Sequence, residues 1–196
     1  MNWKNKVIIG ITGGIATGKT TATNFFQKKG FYKIDADKIG HQILLQKNVK
    51  EKILANFGNK VISENEIDRK KLGKIVFQNR EKLDSLNKII HPILINKIFD
   101  KIETTKCKKV IIDAALLLDW KLDKICKYVI LITSQNENKI KRLILNQKLS
   151  KKEAIERISS QKKLSGEIDF VIKNNSTLSE FEKKLKKIWN EMKLEI

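Results

Sequence analysis

The chain has 196 residues, 41% of them hydrophobic, with one proline and nine glycines. It is long enough to bury roughly 70% of its unfolded surface, and that composition excludes disorder and low-complexity linkers. The net charge of +19 comes almost wholly from lysines spread between Lys4 and Lys193, with arginine at 69, 80, 142 and 157; this describes a solvated Lys-rich surface rather than a dedicated nucleic-acid face.

Lys6–Thr12 is a short β-branched apolar run, the pattern of a buried parallel strand. A Gly-rich turn follows, then a helix over Lys19–Lys29 stopped by Gly30. A second strand, Phe31–Ile34, ends at Asp35-Ala36-Asp37. Helices are expected at Lys38–Gln46, Val49–Phe57, Arg69–Phe77 and Glu81–Thr105, the last interrupted at His91-Pro92. Lys109–Ile112 and Tyr128–Thr133 are strands, the first followed by Asp113. Asn136–Gln147 and Ser150–Leu164 are helical, Phe170–Ile172 is a short strand, and Leu178–Met192 closes the chain as an amphipathic helix. The alternation gives an α/β fold, a parallel sheet flanked by helices. The strandless stretch 58–105 is expected to form a helical subdomain, leaving 1–57 and 106–196 as the core.

Cys107 and Cys126 stand in no CxxC pair, which excludes a zinc framework and fits a reducing cytoplasm. The first apolar run meets Gly13-Gly14 and Lys19 too soon for a signal peptide, and no later stretch approaches a membrane span. A cytoplasmic protein without a membrane partner is expected. Trp3, Trp120 and Trp189 lie in separate segments and form no base-stacking platform.

Gly13-Gly14-Ile15-Ala16-Thr17-Gly18-Lys19-Thr20 matches G-x-x-x-x-G-K-[ST] in full, between a strand and a helix. Glycines let successive backbone N–H groups turn inward on phosphate oxygens, and the following helix aims its positive end at the same point. These residues and Thr21 are the candidate ATP site, with Lys19 on the β- and γ-phosphates and the Thr20 hydroxyl on Mg²⁺. No N-K-x-D base-reading signature is present, so a GTPase is disfavoured, and the size suits a small P-loop kinase. Another nucleoside or nucleotide kinase, and a nucleic-acid-binding P-loop protein, are the alternatives.

Asp35 and Asp37 stand at the carboxyl end of the second strand, where a doubly wound sheet carries its ligand crevice. A carboxylate there takes the proton of an attacking hydroxyl or caps the next helix, and both readings stay open for Asp35. Asp113 is placed like a Walker B carboxylate that organises Mg²⁺ through water; a solvated strand-end Asp is the other reading. Arg142 is an arginine kept in a lysine-biased chain, which points to geometry that Lys does not supply.

Read with the P-loop, Asp35-Ala36-Asp37-Lys38-Ile39 resembles dephospho-CoA kinase. So do Ile67-Asp68-Arg69 with Leu72, Val76-Phe77, Leu86-Asn87, His91-Pro92, Asp113 with Leu116-Leu117, Arg142, Gln161 and Asp169…Asn174, which together cover about residues 6–176. The resemblance implies ATP-dependent phosphorylation of the ribose 3′-hydroxyl of dephospho-CoA; separately, a monomer with no specific nucleic-acid partner is expected. It puts Asp37 at the catalytic base, Lys19 and Arg142 on the ATP phosphates, and Asp35, Arg69 and His91 on the acceptor side. It also implies that 58–105 is the CoA-side subdomain and that about 140–165 is a lid. His91-Pro92 is equally a helix-initiating pair. The chain departs from the family pattern at Ala16, His41, Ala115, Leu118-Asp119 and Asn146; the last stands where a second lid arginine is frequent, and nearby Lys148 is a candidate substitute.

Overall fold

The computed structural model describes residues 5–76, 78–161, 164, 166–192 and 194. Trp3, Lys4, Phe77 and Lys193 lie outside them, as do Lys162, Lys163 and Ser165 of the expected lid. The chain divides into two compact units, Met1–Asp35 with Thr105–Ile196, and Ala36–Thr104. In chain order the elements are β1 (Val7–Gly13), α1 (Lys19–Gln27), β2 (Tyr32–Asp35), α2 (Ala36–Leu44), α3 (Lys47–Phe57), β3 (Ile62–Ser63), β4 (Glu66–Ile67), α4 (Arg69–Val76), α5 (Arg80–Thr104), β5 (Lys109–Asp113), β6 (Tyr128–Thr133), α6 (Asn136–Gln147), α7 (Lys151–Ser159), β7 (Phe170–Lys173) and α8 (Leu178–Glu191).

The first unit is a five-stranded sheet in the order β2-β5-β1-β6-β7, with every pair parallel. β1 sits at its centre because Ile8, Ile9 and Ile11 present apolar groups on both faces, and all three are buried. The chain leaves β1 for β2 on one side and reaches β6 and β7 on the other, so the end of β1 is the topological switch point. On one face Ile9, Ile11, Ile111, Ile130, Ile132 and Ile172 meet Ala22 and Phe26 of α1 and Phe181, Leu185 and Ile188 of α8. Those α8 positions recur at i, i+4 and i+7, the stripe of an amphipathic helix. Phe181 and Leu185 are fully buried, a gross gain of about 2 kcal/mol each. Trp189 stacks edge-on at 6.0 Å from Phe31 and packs against this core. α7 opens on a capping box, in which the Ser150 hydroxyl accepts from the Glu153 N–H and the Glu153 carboxylate accepts from the Ser150 N–H.

The second unit is built along α5. Ala36, Ile39 and Ile43 of α2, Val49, Ile53 and Phe57 of α3, Leu72 and Val76 of α4, and Leu94, Ile98 and Ile102 of α5 form its buried side. α2, α3 and α4 all pack on α5. The division at Asp35/Ala36 groups α2 and α3 with α5, on which both pack.

Two expectations do not hold. The stretch 58–105 does contain strands, the antiparallel pair β3 and β4. Its turn is made by Glu64 and Asn65, both left-handed at φ 48° and 62°, the pattern of a type I′ hairpin without glycine. The helix is also unbroken at His91-Pro92, since α5 runs through Pro92. Pro92 and Lys88 are both exposed, so the carbonyl deprived of its i+4 donor opens to water. Pro92 consequently starts no helix.

Candidate active site

The phosphate loop grows out of the end of β1. Gly13 has φ 154°, and a Cβ there would lie 2.3 Å from the Ile132 carbonyl of β6, so no side chain fits. The Thr17 hydroxyl donates to the Gly14 carbonyl at 2.9 Å and closes the loop on itself. Ala16 takes the left-handed φ of 55° with its methyl in place, at a cost of about 1 kcal/mol relative to glycine. Gly18, at φ 103°, is the N-cap of α1; a Cβ there would meet Asn174 Nδ2 at 2.4 Å. Lys19 is the first residue of α1 and Thr20 the second, with Thr20 exposed.

The loop is held from its carbonyl side. Arg142 Nη1 donates to the Ala16 carbonyl at 3.0 Å and to the Ser134 hydroxyl at 3.2 Å, while Nη2 donates to the Asn174 carbonyl at 2.9 Å. Asn174 Nδ2 donates to the Thr17 carbonyl at 2.9 Å. The Ser134 hydroxyl donates to the Asn174 carbonyl at 2.7 Å, and the Asn174 N–H to the Thr133 carbonyl at 2.8 Å. The ends of β6 and β7 and one helical arginine thus form a single clamp. Burial pulls the Arg142 pKa below its ordinary value, but a guanidinium stays charged. The planar fork of Arg142 is thus engaged by one loop oxygen, the Ala16 carbonyl, and by oxygens of Ser134 and Asn174.

A second cluster lies at the ends of β2 and β5. Asp35 and Asp113 pair in register, and Asp113 pairs in turn with Ile11 of β1, two residues before the loop. Lys33, on the same face of β2 as Asp35, places Nζ 2.8 Å from Asp113 Oδ2 and 3.7 Å from Asp35 Oδ2. Asp113 is buried at 7% exposure. It is therefore a counter-ion-bound carboxylate rather than a solvated strand end. Thr20 and Asp113 are hard oxygen donors of the kind Mg²⁺ accepts. Among the described residues no group of three or more His, Cys, Asp or Glu could hold a metal ion, so a metal here would depend on phosphate and water oxygens for most of its shell.

Asp37, Arg69 and His91 belong to the helical unit. Asp37 lies in the first turn of α2 and is half-buried. Arg69 opens α4 beside a hollow of about 530 Å³ lined also by Asp68 and Lys70. The Asp68 carboxylate accepts from the Lys70 and Lys71 N–H groups, and the Lys71 bond is the first reason its pKa falls below the usual value. His91 is half-buried within α5. Asp35, Lys19, Thr20, Asp113 and Arg142 are held together in the sheet unit.

Motif reading missed the partners of the loop. Lys33, Ser134 and the loop-holding role of Asn174 were not anticipated, and neither was a bond from the end of α7. Gln161, just past α7, accepts the Ile15 N–H on its Oε1 at 2.9 Å. Arg157 of α7 donates to Gln147 Oε1 at the end of α6 at 3.1 Å, tying the two helices into a hairpin.

A family model described as dephospho-CoA kinase matches residues 7–180. A Fusobacterium nucleatum protein named dephospho-CoA kinase is 44% identical over 188 residues, 92% of this chain and 96% of that one. The solved structure of dephospho-CoA kinase from Campylobacter jejuni is 30% identical with a TM-score of 0.54, covering 96% of this chain and 98% of its own. A Thermus thermophilus crystal structure superposes with a TM-score of 0.79 over 96% of this chain and 98% of that one; at 24% identity it attests the fold.

Proposed function

The chain belongs to the dephospho-CoA kinase family, and from this premise we propose that it transfers the γ-phosphoryl group of ATP to the ribose 3′-hydroxyl of dephospho-CoA, yielding CoA. The observation that carries the reading is the complete phosphate loop at the switch point of a parallel sheet, clamped so that its carbonyls face protein donors. Its amides are thereby turned towards an anionic ligand.

The proposed roles follow from position. The loop N–H groups, the positive end of α1 and the Lys19 ammonium take the charge of the phosphate chain. The Thr20 hydroxyl would hold Mg²⁺, with Asp113 acting through water because Lys33 already engages its carboxylate. When bound, the metal would supply charge neutralisation and orientation of the phosphates. Asp37 is the base for the 3′-hydroxyl; it follows the end of β2 by two residues, at most about 7 Å of chain. Asp35, Arg69 and His91 serve the acceptor side. Arg142 keeps the loop in shape, and α6 with α7 forms a lid that excludes water. Among the described residues no helix is long and apolar enough to cross a membrane, and we place the reaction in the cytoplasm with the monomer as working unit.

The test incubates the purified chain with ATP and either dephospho-CoA or a panel of nucleosides and nucleotides, following ADP release and product mass. A mass gain of one phosphate on dephospho-CoA alone supports the proposal. Turnover of a nucleoside with none on dephospho-CoA would sink it.

A further inference from the structure

We propose that Gln161 is a positioning residue of the phosphate loop, whose carboxamide oxygen holds the place on the Ile15 N–H that a nucleotide phosphate oxygen takes on binding. The inference rests on reading Gly13–Thr20 as the phosphate loop.

The chain beyond α7 tightens into a final turn, with the Ser160 N–H on the Glu156 carbonyl and the Gln161 N–H on the Ile158 carbonyl. That turn brings the Gln161 side chain onto Gly14-Ile15. Oε1 accepts from the Ile15 N–H at 2.9 Å and lies 2.6 Å from where a Gly14 Cβ would be. The bare Gly14 backbone is what admits the carboxamide. The lid hairpin therefore has two anchors of opposite kind. Arg142 of α6 grips the Ala16 carbonyl of the loop, which a phosphate does not compete for. Gln161 grips a loop amide, which a phosphate does compete for. A carboxamide oxygen is a neutral acceptor, and hydrogen bonds to charged acceptors are roughly twice as strong as neutral ones, so the exchange runs towards the nucleotide. Occupancy of the loop is thereby coupled to release of the end of α7 while the arginine anchor stays in place.

The experiment titrates the full chain with ATP and with inorganic tripolyphosphate by calorimetry, using adenosine as a phosphate-free control. Gln161→Met keeps the side-chain volume and removes the oxygen. It should bind ATP and tripolyphosphate about three- to tenfold more tightly than wild type, the equivalent of one net hydrogen bond, with adenosine unchanged. Gln161→Glu puts a carboxylate on the same N–H and should bind both at least about tenfold more weakly. A variant that merely loosened the fold would bind more weakly in both cases. Wild-type binding with no gain in Gln161→Met overturns this inference alone. No binding of either phosphate ligand by the wild-type chain overturns the phosphate-loop reading and this inference with it.

Discussion

Replacing Asn174 by alanine removes one side-chain bond from the clamp and little else. The Asn174 N–H bond to Thr133 and the two bonds its carbonyl accepts, from Arg142 and Ser134, are made by the backbone and persist. What is lost is the Nδ2 bond to the Thr17 carbonyl, between residues 7% and 2% exposed. No other group replaces it, because Arg142 Nη1 stands 3.5 Å from that oxygen, too far for a useful bond. Orphaning a buried acceptor of this kind costs about 2 kcal/mol. At roughly 2–4 °C per kcal/mol for a chain of this size, melting should fall by about 4–8 °C. ATP affinity measured by calorimetry should fall with it, by about tenfold, because the turn at Thr17-Gly18 loses its internal support. Asn174→Asp provides the control. It sets an acceptor against an acceptor and should be worse than alanine on both measures. A melting drop below about 1 °C with unchanged ATP affinity, or an aspartate variant no worse than the alanine one, would refute the clamp as the reason the loop holds its shape.

Asp37→Asn should lower kcat by about 10²- to 10⁴-fold while ATP still binds as in wild type, and turnover within a factor of ten of wild type would remove Asp37 as the base. Lys33→Met leaves Asp113 buried without its ammonium and should destabilise by about 3 kcal/mol; adding Asp113→Asn should recover much of that loss, and a Lys33→Met chain that melts like wild type rejects the pairing. Burial, ahead of the nearby Asp123 and Asp169 charges, pushes the Cys126 thiol up to about 12 from an ordinary 9.0. Between those pH values the unfolded chain binds fewer protons than the native one, so stability from this group falls as pH rises, by up to about 1.4 kcal/mol per unit. Urea midpoints of wild type and Cys126→Ala should therefore converge or cross above pH 9, and parallel curves would contradict it.

The loop was legible because its chemistry is written in adjacent residues: the glycines, Lys19 and Thr20 carry their meaning at fixed spacing. The central strands were legible for a similar reason, since β1 and β6 are short runs rich in β-branched residues. The clamp was not. Arg142, Ser134 and Asn174 lie more than a hundred residues from the loop and reach it only through the strand order that sets β6 and β7 beside β1. Asn174 follows the strand β7, a cue that an asparagine-rich chain hides. Glu64-Asn65 concealed a hairpin because neither residue is glycine. The unit boundary left no mark in composition, because it depends on which partner takes up the apolar stripes of α2 and α3. Lys33 reads as one lysine among many until register places it between two carboxylates.

The clamp also explains why arginine survives at 142 in a chain that uses lysine almost everywhere. An ammonium is a point charge and satisfies oxygens clustered around one atom, whereas the acceptors at this site belong to Ala16, Ser134 and Asn174 and are spread over three segments. Only a fork with several fixed N–H directions meets them together. Asn146, one turn further along α6, is exposed, and nothing in the clamp depends on it. Asparagine at 146 therefore leaves the clamp on the loop intact; in the proposed reaction the charge of the phosphate chain would fall on Lys19, the loop amides and the end of α1.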